Sequence, residues 1–99
     1  MVKHFVIWKL KDAFTVDQNI YHARKIKRSL EGLKGQIDGL VDIKVQDELL
    51  SSSSGTVLLD TTFVDEAALK AYQTNPKHLE VASFVRSVAQ ERLSADYEC

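Results

Sequence analysis

The sequence predicts an α+β domain of the ferredoxin-like kind, a four-stranded antiparallel sheet with helices on one face in the order βαββαβ. Three observations predict it. β-Branched and aromatic residues are dense from Val2 to Leu10, apolar and polar residues alternate from Val41 to Gln46, and Thr56 to Val64 and Leu93 to Tyr97 read as a third and a last strand. Apolar residues at helical spacing fill the stretch after the first strand and the stretch before the last. Two helix-opening signals, Thr15-x-x-Gln18 and Asn75-Pro76, fall inside those stretches, and the second breaks the second helical segment in two. A split pattern of this kind stacks its helices on one side of its sheet.

The first strand carries Val2, His4, Val6, Trp8 and Leu10 on one face and Lys3, Phe5, Ile7 and Lys9 on the other. Both faces are apolar in the middle, so both should be covered. Thr15 and Gln18 have the form of a capping box. Behind them Val16, Ile20, Ala23, Ile26, Leu30, Leu33 and Ile37 recur at steps of three and four, the stripe of an amphipathic helix of about six turns. Gly35 and Gly39 bracket its end. In the second strand Val41, Ile43 and Val45 should point inward and Asp42, Lys44 and Gln46 outward. Ser51-Ser52-Ser53-Ser54-Gly55 reads as a hairpin connection. After the third strand Asp65 caps a short helix, with Val64 and Leu69 placed to form a hydrophobic staple. Asn75 and Pro76 open the next, whose buried stripe is Leu79, Ala82, Val85, Val88 and Ala89.

Composition bounds the function. Ninety-nine residues make a single domain, 1–99, and 44% apolar with 27% charged residues is the make-up of an ordinary globule. Thirteen basic against fourteen acidic residues argue against a nucleic-acid partner. Cys99 is the only cysteine, so there is no disulfide framework or cysteine metal cluster, and no metal-ligand spacing appears among the aspartates. The uncharged run from His4 to Trp8 is too short for an export signal or a membrane span, so a cytoplasmic protein with no membrane partner is expected. Helices on one face leave Phe5 and Ile7 bare on the other, and a second copy packed sheet against sheet covers them most economically. A homodimer is therefore expected.

His4, Tyr72 and His78 are the residues that could carry chemistry. His4 is either a buried histidine satisfied by a carbonyl or water, or an acid/base group between sheet and helices. His78 is the third residue of the helix opened by Asn75, where the positive end of the helix dipole disfavours imidazolium; alternatively its ring decorates an exposed first turn. Tyr72 points inward, as a core aromatic or as a hydroxyl donor. The three meet only if the even-numbered face of the first strand lies under the helices. His22 and the basic outer side of the first helix (Arg24, Lys25, Lys27, Arg28, Lys34) read as solvated. No phosphate loop, dinucleotide fingerprint or nucleophile elbow is present, and no cofactor is expected.

Six pieces in order resemble one known family: Val2-Lys3-His4, Trp8-Lys9-Leu10-Lys11-Asp12, Gly39-Leu40-Val41, Leu69-x-x-Tyr72, Asn75-Pro76-Lys77-His78 and Asp96-Tyr97-Glu98. These are similar to the stress-responsive A/B barrel domain (Dabb) proteins over the whole length. The resemblance implies a ferredoxin-like protomer in a dimeric α+β barrel. Within that family most members have no established activity, while one branch resembles polyketide cyclases with two histidines and a tyrosine at the positions of His4, His78 and Tyr72. The usual His-Pro-x-His reads Asn75-Pro76-Lys77-His78 here, and the aromatics that line the first helix of that branch are replaced by His22, Ala23 and Ile26. Val81 and Ala89 would enclose a substrate beyond His78, with Trp8 as one aromatic wall.

Two functions follow as expectations. The first is a small dimeric binding protein holding an apolar or aromatic ligand with His4, Val6, Trp8, Leu59, Tyr72 and His78. The second is a cofactor-independent lyase or cyclase with His4 and His78 as acid/base groups assisted by Tyr72. A monooxygenase of the related dimeric barrel type is a third. An open cleft of about 300 Å³ or more reaching both histidines would favour a ligand, and a sealed core around His4 a structural role.

Overall fold

The computed structural model describes residues 1–99. Its elements run β1 (Val2–Leu10), α1 (Val16–Glu31), β2 (Leu40–Gln46), β3 (Val57–Phe63), α2 (Glu66–Thr74), α3 (Pro76–Val88) and β4 (Ala89–Glu98). The four strands form one antiparallel sheet in the order β2-β3-β1-β4. Strand alternation carries straight through to burial. Val2, His4, Val6, Trp8 and Leu10 of β1 and Val57, Leu59, Thr61 and Phe63 of β3 are buried beneath the helices, and their neighbours in sequence are half-buried on the far face. Thr61 is satisfied in the core because its Oγ1 donates to the His4 carbonyl at 2.7 Å. No helix is long and apolar enough to cross a membrane.

All three helix openings form as the side chains dictate. Thr15 Oγ1 accepts from the Gln18 amide at 3.1 Å while Gln18 Oε1 accepts from the Thr15 amide at 2.8 Å, a complete capping box. Asp65 Oδ1 accepts from the Ala68 amide at 2.8 Å and Asn75 Oδ1 from the Lys77 amide at 2.9 Å. Asn75 ends α2 and opens α3 in one extended residue, with Pro76 at the first position of α3. This is the break that the sequence announces.

Four expectations need correction. Helix α1 has 16 residues, about four and a half turns and not six. Gly32 ends it, donating to the Arg28 carbonyl at 3.0 Å, and the chain continues in three-residue turns from Leu33 to Leu30 and from Gln36 to Leu33. Those turns keep Leu33 and Ile37 buried at nearly helical spacing, which is why the periodicity overruns the helix. The opposite end of the stripe overhangs the sheet: Val16 is 78% exposed and Ile20 fronts the shallow groove of the Asp47–Thr56 connection. In β2 the register shifts between Leu40 and Asp42, so Leu40, Ile43 and Val45 face inward and Val41 is turned out to solvent. In α3 His78 takes the inward place of the first turn, leaving Leu79 exposed, and Ala89 belongs to β4. Strand β4 itself starts four residues earlier than Leu93 and lies almost wholly exposed along the sheet edge.

The basic side of α1 is less solvated than its composition suggests. Lys27 donates to Glu31 Oε2 at 2.9 Å and to the Val45 carbonyl at 2.7 Å, Lys34 reaches Asp42 at 3.0 Å, and Lys25 lies over the Phe84 ring. His22 is half-buried, edge-on to Phe14 with ring centroids 4.6 Å apart. Glu31 ties α1 to β2 because its Oε2 also accepts from the Val45 amide at 2.9 Å. Partial burial alone would raise the Glu31 pKa, but the Val45 amide and Lys27 outweigh it and hold the carboxyl below its ordinary 4.5. A carboxylate depressed in the folded chain contributes stability above the unfolded pKa and loses it as pH falls through the folded one. Glu31→Gln is therefore expected to cost about 1 kcal/mol at pH 7, discounted for its partly exposed setting. In chemical denaturation the deficit should shrink steadily as pH drops below 4.5. A pH-independent deficit would mean that the charge of Glu31 plays no part.

Candidate functional site

The inner face of the sheet, the underside of α2 and α3 and the end of α1 enclose a cavity of about 220 Å³. It is partly open and mostly apolar, lined by Val6, Trp8, Leu30, Leu59, Ala82 and Val85, with His4, Tyr72, Gln73, His78, Arg86 and Arg92 as its polar members. All six ligand-binding candidates, His4, Val6, Trp8, Leu59, Tyr72 and His78, line this one space. The even face of β1 does lie under the helices, so the condition for His4, Tyr72 and His78 to meet is fulfilled. The cavity reaches both histidines, but it is smaller than the about 300 Å³ set above as favouring a ligand.

Tyr72 comes from the last turn of α2, three residues beyond Leu69, and is wholly buried. Its ring packs on Phe63 at 5.0 Å and on His78 at 4.1 Å between centroids, with His4 at 6.4 Å in an edge arrangement. His78 arrives from the first turn of α3, where the Asn75 cap and Pro76 set the direction of the helix. Two polar atoms here are cut off from solvent with no partner in the chain, the Tyr72 hydroxyl and His78 Nδ1. Buried polar atoms are nearly always bonded, so this pair stands out.

Burial pushes the His78 imidazole below the ordinary 6.5, and the positive surroundings of His4, Arg86 and Arg92 push the same way. The Gln73 carbonyl offsets part of this, though His78 Nδ1 forms no hydrogen bond. Burial likewise drives the Tyr72 hydroxyl up, against a smaller opposing effect of Arg92, so Tyr72 keeps its proton at any physiological pH. At neutral pH the cavity thus holds a neutral imidazole beside an un-ionised phenol. In an NMR titration the His78 ring is expected to change charge at a midpoint below 6.5. A midpoint at or above that value would show that the ring is solvated.

His4 has a partner that the sequence reading missed. Asp96, directly opposite on β4, binds His4 Nδ1 through Oδ1 and leaves Nε2 free. Arg92 lies two inward positions before Asp96 in the same register, opposite Trp8. Starting the last strand at Leu93 hides this, because Arg92 then falls outside it. A strand from Ala89 would have placed Arg92, Ser94 and Asp96 on the face of Trp8, Val6 and His4 by alternation alone. Val81 and Ala89, expected to enclose a substrate, do not line the cavity; Ala82, next to Val81, and Val85, four residues before Ala89, do. From α1 only Leu30 contributes, and His22, Ala23 and Ile26 stay clear of it. No group of three or more metal-ligating side chains is assembled.

The same architecture recurs in solved structures. A dimeric protein of unknown function and ferredoxin-like fold from Bacteroides fragilis superposes with a TM-score of 0.92 at 26% identity, covering 99% of this chain and 95% of that one. A Dabb family protein with a ferredoxin-like fold from Mesorhizobium loti gives 0.75 at 18% identity, with 99% and 95% coverage. An antibiotic biosynthesis monooxygenase gives 0.77 at 13% identity, with 100% and 98% coverage, a likeness of fold alone. A search of curated proteins finds no match. The family model described as Stress responsive A/B Barrel Domain matches residues 2–99, essentially the whole chain. With that match and the fold in agreement, the chain belongs to the stress responsive A/B barrel domain (Dabb) family.

Proposed function

We propose that this protein is a homodimer, packed sheet against sheet, that binds a small apolar or aromatic ligand in the cavity between its sheet and helices. One observation carries the ligand reading: a mostly apolar cavity that opens to solvent is walled by Tyr72 and His78, whose hydroxyl and Nδ1 are buried without a partner in the chain. A ligand oxygen bonded to either would satisfy a group that the chain leaves orphaned. The cavity size suits one ring with a short chain. The dimer is supported by the apolar far face of the sheet, where Phe5 stacks on Tyr97 and Ile7 lies between Leu58 and Leu93, and by the dimeric state of the Bacteroides fragilis relative.

The pairing of Asp96 with His4 favours a second reading, a cofactor-independent lyase acting on a β-keto compound. In it His78, held neutral, takes a proton from carbon α to a carbonyl. The resulting enolate carbon attacks a second carbonyl of the same molecule, and Tyr72 or the histidine returns a proton to the alkoxide. Asp96 would orient His4 toward that oxygen.

The test follows the His4 and His78 ring signals during titration with phenolic and β-keto compounds. Both are expected to shift together with the Trp8 indole, and His78→Ala should weaken the effect about tenfold. Turnover of a β-keto compound that falls about a hundredfold or more in His78→Ala would establish the lyase. If no compound moves either ring, the binding reading fails.

A further inference from the structure

We infer that the ligand of this cavity is a carboxylate, gripped at the rim by Arg86 and Arg92 with its apolar stem inside; this names the ligand class for the binding reading above and rests on it. Arg86 comes from the last turn of α3 and Arg92 from the inward face of β4, so two separate elements bring a guanidinium to one opening. Both residues are exposed. Neither is neutralised from within. The five ion pairs of the chain use Lys3, His4, Lys27, Lys34 and Lys70, and none involves an arginine. Of the inward-facing carboxylates on β4, Asp96 is four residues from Arg92, about 13 Å along a strand, and is already engaged by His4, and Glu98 lies two residues farther still.

The charge therefore stands at the mouth over walls formed by Val6, Trp8, Leu30, Leu59 and Val85. An anionic group is costly among such walls and favourable between two guanidiniums at their edge, where each fork can bind both oxygens. Its reach inward is felt at the depth of the site, since Arg92 acts electrostatically on both Tyr72 and His78. Tyr72 and His78 then call for a second polar atom at the far end of the ligand. A hydroxyaryl or keto carboxylate has both ends.

Two probes of nearly equal shape test this, 3-(4-hydroxyphenyl)propanoate and its neutral amide, each titrated against the intact protein by NMR at low salt. The carboxylate is expected to bind about tenfold more tightly than the amide, and added salt to erode that preference. In Arg92→Gln, and more so in Arg86→Gln/Arg92→Gln, the carboxylate should weaken about tenfold while the amide stays within about twofold. Both residues are exposed, so the variants should fold, and the unchanged amide affinity reports that they have. Equal binding of the two probes, or carboxylate binding indifferent to both arginines, overturns the carboxylate assignment and leaves the pocket reading standing. If neither probe moves His4, His78 or Trp8, the pocket reading falls and takes the assignment with it.

Discussion

A chain carrying Ile7→Asp and Leu58→Asp is expected to be a folded monomer of 11.2 kDa, and the unaltered protein is expected to sediment at twice that mass. Ile7 and Leu58 are direct partners across β1 and β3 on the face turned away from the helices. Leu93 on β4, 69% exposed, extends the same row, and Phe5 and Tyr97 stack beside it. Lys3 on this face is matched by Asp60 at 2.6 Å and Thr62 at 2.9 Å, so its charge is already answered within one protomer. The hydrogen bond to Asp60 outweighs the cost of desolvation and raises the lysine pKa. What remains unsatisfied on this face is its apolar surface, and a second copy would bury it. Four carboxylates set into a two-fold interface would have no partners, and the dissociation constant should rise by more than about a hundredfold. Because neither side chain enters the core beneath the helices, the circular dichroism of the variant should match that of the parent. An unaltered chain that sediments as a monomer would refute the sheet-to-sheet dimer outright.

Gly39→Ala is expected to destabilise the fold by about 3 kcal/mol, whereas Gly35→Ala should cost only about 1 kcal/mol. Both glycines hold positive φ, +81° at Gly39 and +80° at Gly35, so the backbone penalty is shared. The difference is tertiary. A Cβ on Gly39 would stand 2.5 Å from the Ala68 Cβ of α2 and 3.4 Å from Val64, while one on Gly35 would meet nothing within 4 Å. Gly39 also accepts from the Val64 amide at 2.9 Å, which fastens the entry of β2 to the end of β3. Backing Ala68 away would lift α2 off the sheet and disturb Leu69 and Tyr72, so the cost should not relax easily. Urea denaturation of the two variants measures the contrast. Equal losses would show that α2 can yield at that point.

Much of this was legible in the chain before any coordinates. Strand parity in Val2–Leu10 placed His4, Val6 and Trp8 together, because side chains alternate whatever surrounds them. The three caps at Thr15, Asp65 and Asn75 were legible for the same reason: each rests on a side-chain oxygen reaching an amide two or three residues away. Local chemistry of that range needs no tertiary partner. The inner positions His4, Tyr72 and His78 could be nominated from parity and helical phase. Their convergence could not be measured, and the 4.1 Å contact between the rings of Tyr72 and His78 depends on how α2 and α3 pivot at Asn75.

Where the reading failed, the deciding contact lies far away in the chain. Alternation places Val41 inward, and a bulge in the pairing of β2 with β3 turns it out. Val16 and Leu79 fit their stripes, but each sits where its helix has nothing beneath it or has given the inward place to a neighbour. Asp96 is 92 positions from His4 and meets it only because the last strand joins the first at the sheet edge. Arg86 and Arg92 reach one rim from a helix and a strand for the same reason. The sequence by itself determined the order of helices and strands, where helices begin and which residues of the first strand share a face, since periodicity and capping act within a few residues. Only the tertiary structure decided where each helix ends against the sheet, which carboxylate holds His4 and what charge guards the cavity, since these depend on register between segments that the chain keeps far apart.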